Sequence, residues 1–349
     1  MKGLLLFNKI NLNSLQRKEV ISFLKEKSGN LEEFILKDLN LSSHQKDLFL
    51  KLLKEKWAEK EIEEAKKEDI EIIDFFSPFY PSLLKEIPTP PLVLYVKGKK
   101  EVLNKLCFAI VGTRLASLYG KMMAEKIAST LASLGLVIVS GLARGIDTYA
   151  HQGALKEGIT VAVLGSGLLN IYPKENISLA KEIIDKGAII SEFSLKTPPF
   201  RRNFPQRNRI ISGVSCGVLV VEAPKRSGAL ITARFALEQN REVFALPGEA
   251  FSPTSKGTHF LIKEGAKLVD SLEDILEELN LKLKVNKKEI KIPEEEREVF
   301  DIINEKGTYL EEIVLKSHLK KEKIMKAVIS LQMKNLIKEI APLCFVKMK

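Results

Sequence analysis

Between residues 106 and 246 the chain alternates short apolar runs with longer segments of helical period. The runs are CFAIV, LVIVS, TVAVL, AIIS, GVLVVEA and REVFAL. They are of strand length, rich in β-branched residues and apolar at successive positions, as strands covered on both faces of a parallel sheet must be. In the stretch 121–134 between two of them, Met123, Ile127, Leu131 and Leu134 fall on one helical face. Repeated strand–helix–strand units predict a doubly wound, mostly parallel α/β sheet over 106–276.

The flanks follow other periods. In 1–70, Leu15, Val20, Phe23 and Leu24, then the apolar positions of 31–36 and 48–53, recur at helical spacing between the breaks Gly29-Asn30 and Ser42-Ser43. A small helical domain is expected there. FFSPFYPSLLKEIPTPPLVLYVKGK then carries five prolines, which forbid a long helix. Residues 71–105 are therefore expected to form a linker packed on the core, with a short strand at 92–96. The charged stretch 277–293, which closes on Pro293, reads as a second linker. In 294–349 three helical stretches precede the apolar LIKEI and LCFVK, a pattern that predicts a small winged-helix-like domain. The alternative is a plain helical interaction module, because the third stretch carries Lys320, Lys321, Lys323 and Lys326 but no cluster of base-reading side chains.

Composition narrows the class. With 349 residues, 45% hydrophobic and 29% charged, the chain reads as an ordinary globular protein of two or three domains. No apolar stretch reaches the roughly 20 residues of a membrane span, and the apolar run in MKGLLLFNKI is too short for a signal peptide. Cys107, Cys216 and Cys344 each sit in an apolar run and read as inert core thiols, which suits a reducing cytoplasm. His44, His151, His259 and His318 are scattered, so neither metal nor other cofactor is expected. The net charge is +10, and nine of the eleven arginines fall in 106–276 whereas lysine is spread throughout. Arginine's planar fork suits phosphate and bases.

In open α/β sheets ligands bind beyond the carboxyl ends of the strands. Here those positions hold Gly112-Thr113-Arg114, Gly141-Leu142-Ala143-Arg144-Gly145, Gly165-Ser166-Gly167 and the later EAPKRSGA and LPGE. Such turns bring backbone N–H groups and helix N-termini close to an anion. Neither GxxxxGK[ST] nor a complete GxGxxG is present, because GSGLLN ends in Asn170. PPFRRNFPQRNRIISG sets Arg201, Arg202, Arg207 and Arg209 around Phe200 and Phe204, a composition suited to phosphates and stacked bases. Asp147 is expected to cap the following helix, with His151 packing one turn on, and Glu192 and Glu222 to pair with arginines. No nucleophile stands beside an evident base, so no catalytic residue is expected.

The motifs VGTR, VSGLARGIDTYAHQGAL, AVLGSGLLNIYPKEN, SEFSLKTPPFRRNFPQRNRIISG, VVEAPKRSGALITARFALEQNREVFALPG and THFLIKEGAKLV, in this order, resemble the DNA-processing protein DprA (Smf) family from about residue 75 to about 270. The resemblance implies an extended Rossmann fold, often with a sterile-alpha-motif-like helical domain in front and a winged helix behind. It implies a protein that binds and protects single-stranded DNA and helps load RecA recombinase in natural transformation, without catalysis. A single-strand-binding protein is a further candidate partner, and a homodimer formed through about 235–270 is implied. Family contacts match Gly112, Thr113 and Arg114, with Lys174 of YPKEN on the same face. Gly141, Arg144, Gly145, Arg201, Arg202, Arg207 and Arg209 lie in matching motifs, and their contact with DNA is an inference from position. The runner-up is the lysine-decarboxylase-like phosphoribohydrolase class, whose PGGxGTxxE compares with KRSGALIT. The position of its catalytic glutamate falls on Thr232, which removes the acid/base group.

Overall fold

Four helices open the chain: α1 (Lys2–Lys9), α2 (Ser14–Glu26), α3 (Ser43–Lys54) and α4 (Trp57–Lys67). The break at Ser42 is a capping box. Its hydroxyl accepts from the Gln45 N–H at 3.2 Å while the Gln45 side chain accepts from the Ser42 N–H at 3.0 Å, so two end donors of α3 are satisfied together. Strands β1 (Glu71–Asp74) and β2 (Val93–Gly98) follow, with the short α5 (Ser82–Lys85) between them. Next come β3 (Cys107–Val111), α6 (Leu118–Ser133), β4 (Val137–Ser140), α7 (Ile146–Glu157), β5 (Thr160–Val163), α8 (Ile177–Lys186), β6 (Ala188–Ser191) and α9 (Asn203–Gly213). The half closes with β7 (Gly217–Val220), α10 (Gly228–Glu238), β8 (Glu242–Ala245), α11 (Lys256–Lys263), β9 (Lys267–Leu268) and α12 (Glu273–Glu278). This computed structural model describes residues 1–10, 12–26, 34, 39–280, 293–304, 307–333 and 336–347. The expected linker 277–293 and the apolar run 31–36 therefore fall mostly outside the described residues.

All six apolar runs are strands of one nine-stranded sheet ordered β1-β2-β6-β5-β4-β3-β7-β8-β9. From β6 to β9 every pairing is parallel. The strand expected at 92–96 is β2, which pairs antiparallel with β6, and β1, which was not expected, pairs antiparallel with β2, so residues 71–98 extend the sheet by two strands. Side-chain alternation along β3 explains the sheet's double burial. Cys107, Ala109 and Val111 belong to one apolar cluster, and Phe108 and Ile110 belong to the other, with Ile127, Leu131, Ile146 and Ala150 of α6 and α7. The first cluster also holds Leu5, Phe7, Val20, Phe49 and Ala65, so the opening helices form a layer of the same compact unit, Met1–Val285.

The second unit, Asn286–Lys349, contains α13 (Glu294–Ile302), β10 (Thr308–Tyr309), α14 (Leu310–Lys316), α15 (Lys321–Met333), β11 (Ile337–Ala341) and β12 (Cys344–Lys347). Its sheet runs β10-β12-β11, and its own core is built from Val299, Ile303, Ile313, Ile324, Leu331 and Phe345. Tyr309, just ahead of α14, pairs with Cys344. Among the described residues no helix is long and apolar enough to cross a membrane, and no group of His, Cys, Asp or Glu is arranged to hold a metal ion. Burial pushes the Cys107 thiol up to about 12 and that of Cys216 to about 11, so both stay protonated at neutral pH.

Candidate functional site

The chain winds from β3 outward through β4, β5 and β6, then returns to the other side of β3 as β7. Such a reversal leaves a crevice beyond the carboxyl ends of the two central strands, because their loops depart in opposite directions. The crevice here holds about 760 Å3 and is lined by the turn after β3 (Gly112 to Leu115), the approach to and start of α9 (Arg201, Phe204, Arg207 and Asn208), and the turn into α10 (Arg226 to Gly228). A smaller hollow of about 310 Å3, between Arg144 and Pro173, shares Arg114, Tyr172 and Phe204 with it. Four guanidinium groups line the crevice against a single carboxylate, Asp147. That balance favours an anionic guest.

The glycines serve differently from their expected use. A Cβ on Gly141 would lie 2.5 Å from the Arg207 guanidinium, and one on Gly145 would lie 2.3 Å from the Thr113 carbonyl oxygen. A Cβ on Gly112 would meet Ile146 at 2.4 Å. Their lack of a side chain lets neighbouring turns and the helix behind them close on one another, rather than opening the backbone to a ligand. The 141–145 turn is also fixed from behind. The Asp147 carboxylate accepts from the Gly141 and Ala143 N–H groups at 3.1 and 3.4 Å, Thr148 donates to the Ala143 carbonyl at 2.7 Å, and Asn176 donates to that of Leu142 at 2.9 Å. Asp147 thus holds the preceding turn rather than capping its own helix. Burial raises its pKa against the opposing pull of Arg207.

The arginines separate into outer and inner sets. Arg114 is exposed, its guanidinium carbon 5.2 Å from the centre of the Phe204 ring, and Arg202 lies 5.4 Å from that of Phe200. Arg201 and Lys174 are exposed. Arg144 is exposed and paired with Glu175, so a ligand anion there competes with a carboxylate. Arg207 and Arg209 do not belong with these. Arg207 is 3% exposed and donates to the Gly141 carbonyl at 2.7 Å and to that of Val163, closing the crevice floor. Burial brings it down to about 10, and it remains charged at neutral pH. Arg209, 6% exposed, faces away and pairs with Glu192 at 2.5 Å. The two residues are two positions apart on one helix, which turns them to nearly opposite sides. A direct ligand contact by Arg209 is excluded by that burial.

Glu222 also differs from its expected arginine partner. Its carboxylate accepts from the Ser117 N–H at 2.9 Å and the Ser117 hydroxyl at 2.5 Å, so the positive end of α6 is already met by protein. The Thr113 N–H is likewise bound to the Glu222 carbonyl at 2.7 Å. Anion attraction in the crevice therefore rests on side-chain guanidiniums, since the Ser227 hydroxyl accepts from the Ala229 N–H at 3.2 Å and so caps α10 as well. His151 is buried, with its Nδ1 2.7 Å from the Thr160 hydroxyl, and burial lowers it to about 3, as expected for a packing residue.

The structure adds residues that the turn motifs did not single out. Arg226, exposed at the crevice mouth, stands in KRSGA, where charge beside a glycine turn was the available signal. Tyr172 lies with its ring centre 5.8 Å from that of Phe204, and Leu115 is 86% exposed beside Arg114. Rings and an exposed leucine next to guanidiniums offer faces for bases as well as charge for phosphates.

A family model described as DNA recombination-mediator protein A matches residues 71–280. Protein Smf of Escherichia coli (strain K12) is 45% identical over 259 residues, which covers 74% of this chain and 69% of that protein. DNA processing protein DprA of Bacillus subtilis (strain 168) is 45% identical over 216 residues, 61% of this chain and 73% of that protein. Among solved structures, the X-ray structure of DprA from Streptococcus pneumoniae matches with a TM-score of 0.70 and 36% identity, over 77% of this chain and 94% of that one. DNA processing protein A from Helicobacter pylori, solved to describe its single-stranded DNA binding mode, matches with a TM-score of 0.56 and 30% identity, over 60% of this chain and 95% of that one.

Proposed function

As a member of the DNA recombination-mediator protein A family, this chain is, we propose, a single-stranded-DNA-binding protein whose strand lies in the crevice between the ends of β3 and β7. Phosphates meet Arg114, Arg201 and Arg226, with Arg144, Arg202 and Lys174 along the rim, while bases lie against Phe204, Tyr172 and Leu115. The observation that carries this reading is Arg114. It is exposed over the Phe204 ring, and among the described residues neither it nor Arg201 nor Arg226 makes an ion pair. Free guanidiniums beside aromatic faces are what a sequence-tolerant strand site requires. The role is binding rather than catalysis. Thr232, 1% exposed, occupies the place where the phosphoribohydrolase reading needs a glutamate, and the one crevice carboxylate is tied to backbone N–H groups.

The finer role follows from the family and from the second unit. We assign the chain a cytoplasmic role in protecting incoming single strands and helping to load RecA recombinase in natural transformation, with single-strand-binding protein as a further partner. The order α13-β10-α14-α15-β11-β12 is that of a winged helix, which supports reading 294–349 as such a domain. A homodimer through about 235–270 fits the exposed Leu237, Phe251, Phe260 and Leu268 on the β8–β9 side of the sheet. Light scattering at micromolar concentration is expected to give twice the chain mass, and a monomer removes the dimer. For the strand site, Arg114→Ala loses one charge-assisted contact, so affinity for oligodeoxythymidine should fall about 10- to 150-fold at an unchanged melting temperature. Unchanged affinity with a lowered melting temperature refutes the phosphate role.

A further inference from the structure

The loop 192–202 joins β6 to α9 and carries Arg201 to the crevice just ahead of Phe204. It is held by the opening helices rather than by the sheet alone. Asn8 of α1 donates to the Glu192 carbonyl at 2.7 Å, and Lys9 donates to the Ser194 hydroxyl at 3.2 Å. From α4, the Glu61 carboxylate accepts the Leu195 N–H at 2.8 Å, and Glu64 pairs with Lys196 at 2.5 Å. Glu61 is 7% exposed, on a helix whose other glutamates reach solvent more freely. A carboxylate this buried is costly unless its oxygens are hydrogen-bonded. Its hydrogen-bond partner is the Leu195 N–H, and the Tyr95 side chain lies near enough to interact with the carboxylate electrostatically.

On its other side the same loop fixes the 165–170 turn. The Leu195 and Thr197 carbonyls accept from the Leu169 and Gly167 N–H groups at 3.0 and 2.9 Å, and the Lys196 carbonyl accepts from the Asn170 side chain at 2.8 Å. That turn leads directly to Tyr172 and lies against Phe204, where a Cβ on Gly165 would come within 2.8 Å of the ring. Displacement of Leu195 is therefore passed to both aromatic walls.

We propose that Glu61 is a positioning residue for strand binding, through which the opening helical layer sets the shape of the crevice some elements away. This rests on the strand-binding reading above. The full chain tests it, with oligodeoxythymidine as probe and Arg114→Ala measured alongside. Glu61→Ala should weaken binding about five- to thirtyfold well below its melting temperature, with faster amide exchange at Leu195, while Glu61→Gln, which keeps the acceptor oxygen, should bind within about twofold of the parent. Native affinity in Glu61→Ala beside a weakened Arg114→Ala overturns the positioning role, whereas native affinity in both overturns the strand site instead. Should Glu61→Ala not fold, Asn8→Ala decides the matter. Weakened binding and faster Leu195 exchange support the coupling, and native values for both overturn it.

Discussion

Arg207 and Arg209 show how much a single residue's environment decides. Both sit in the arginine-rich segment that invites a phosphate role, yet Arg209 is locked in a buried pair with Glu192. Arg209→Ala would strand a buried carboxylate, and breaking such a pair costs about 3–5 kcal/mol. Urea unfolding should register that loss, with single-strand affinity retained in the population that stays folded; a variant of native stability that no longer binds would reverse the assignment. His151 supplies a pH prediction. Its ordinary pKa of 6.5 is lowered to about 3 in the fold by burial, with the Arg207 charge adding to the effect. The unfolded chain therefore takes up a proton between these values and the folded one does not. The stability contributed by neutral His151 is complete above about pH 6.5 and is lost as pH falls toward about 3, by up to about 1.4 kcal/mol per pH unit. Asp147, raised by burial, acts in the opposite sense on the acid side of that window. His151→Gln should remove the histidine component, so unfolding midpoints of parent and variant should converge as pH falls from 7 to 4.5; parallel curves exclude it.

At the scale of elements, the turns are more demanding than the strands. Gly145 has φ +74° and would drive a Cβ to 2.3 Å from the Thr113 carbonyl, whereas a Cβ on Gly228 meets nothing within 4 Å. Gly145→Ala should therefore cost about 1–3 kcal/mol of stability and displace the Arg114 turn, lowering melting temperature and strand affinity together. Gly228→Ala should leave stability nearly unchanged, and equal behaviour of the two variants would discredit the packing argument. The six central strands were legible because a strand buried on both faces must be apolar at consecutive positions. Strand β9, two residues long, and β1, whose sequence is EIID, carry no such run, since edge strands need cover on one face at most. The glycine–arginine turns were legible as a site, but their division of labour was not. Whether Gly141 faces a ligand or Arg207, and whether Glu222 meets an arginine or Ser117, depends on contacts between elements far apart in sequence. Glu61 was invisible for the same reason, one glutamate among several on a polar helix, distinguished by a partner 134 residues away.

Across the whole molecule, the exposed cations are not evenly placed. The net charge of +10 is spread along the chain, while the exposed cations of the crevice and its rim, Arg114, Arg144, Lys174, Arg201, Arg202 and Arg226, gather at one end of the sheet. If four to six of them neutralise phosphates, each contributes about −0.7 to the slope of log affinity against log salt for a single strand. Raising salt from about 50 to about 200 mM should then lower affinity about 50- to 350-fold, nearly independent of base sequence. The aromatic walls add a second discrimination. Phe204 and Tyr172 can stack only on bases already released from a partner strand, and stacking is worth about 1–3 kcal/mol per base. A duplex of equal length keeps its bases paired and offers the crevice only its phosphates, so it should bind more weakly by at least one such contribution, about fivefold or more. Fluorescence anisotropy with a labelled oligodeoxythymidine and a mixed-sequence duplex across a salt series measures both quantities. A flat salt dependence removes the arginine rim from binding, and equal affinity for the two forms removes the aromatic walls.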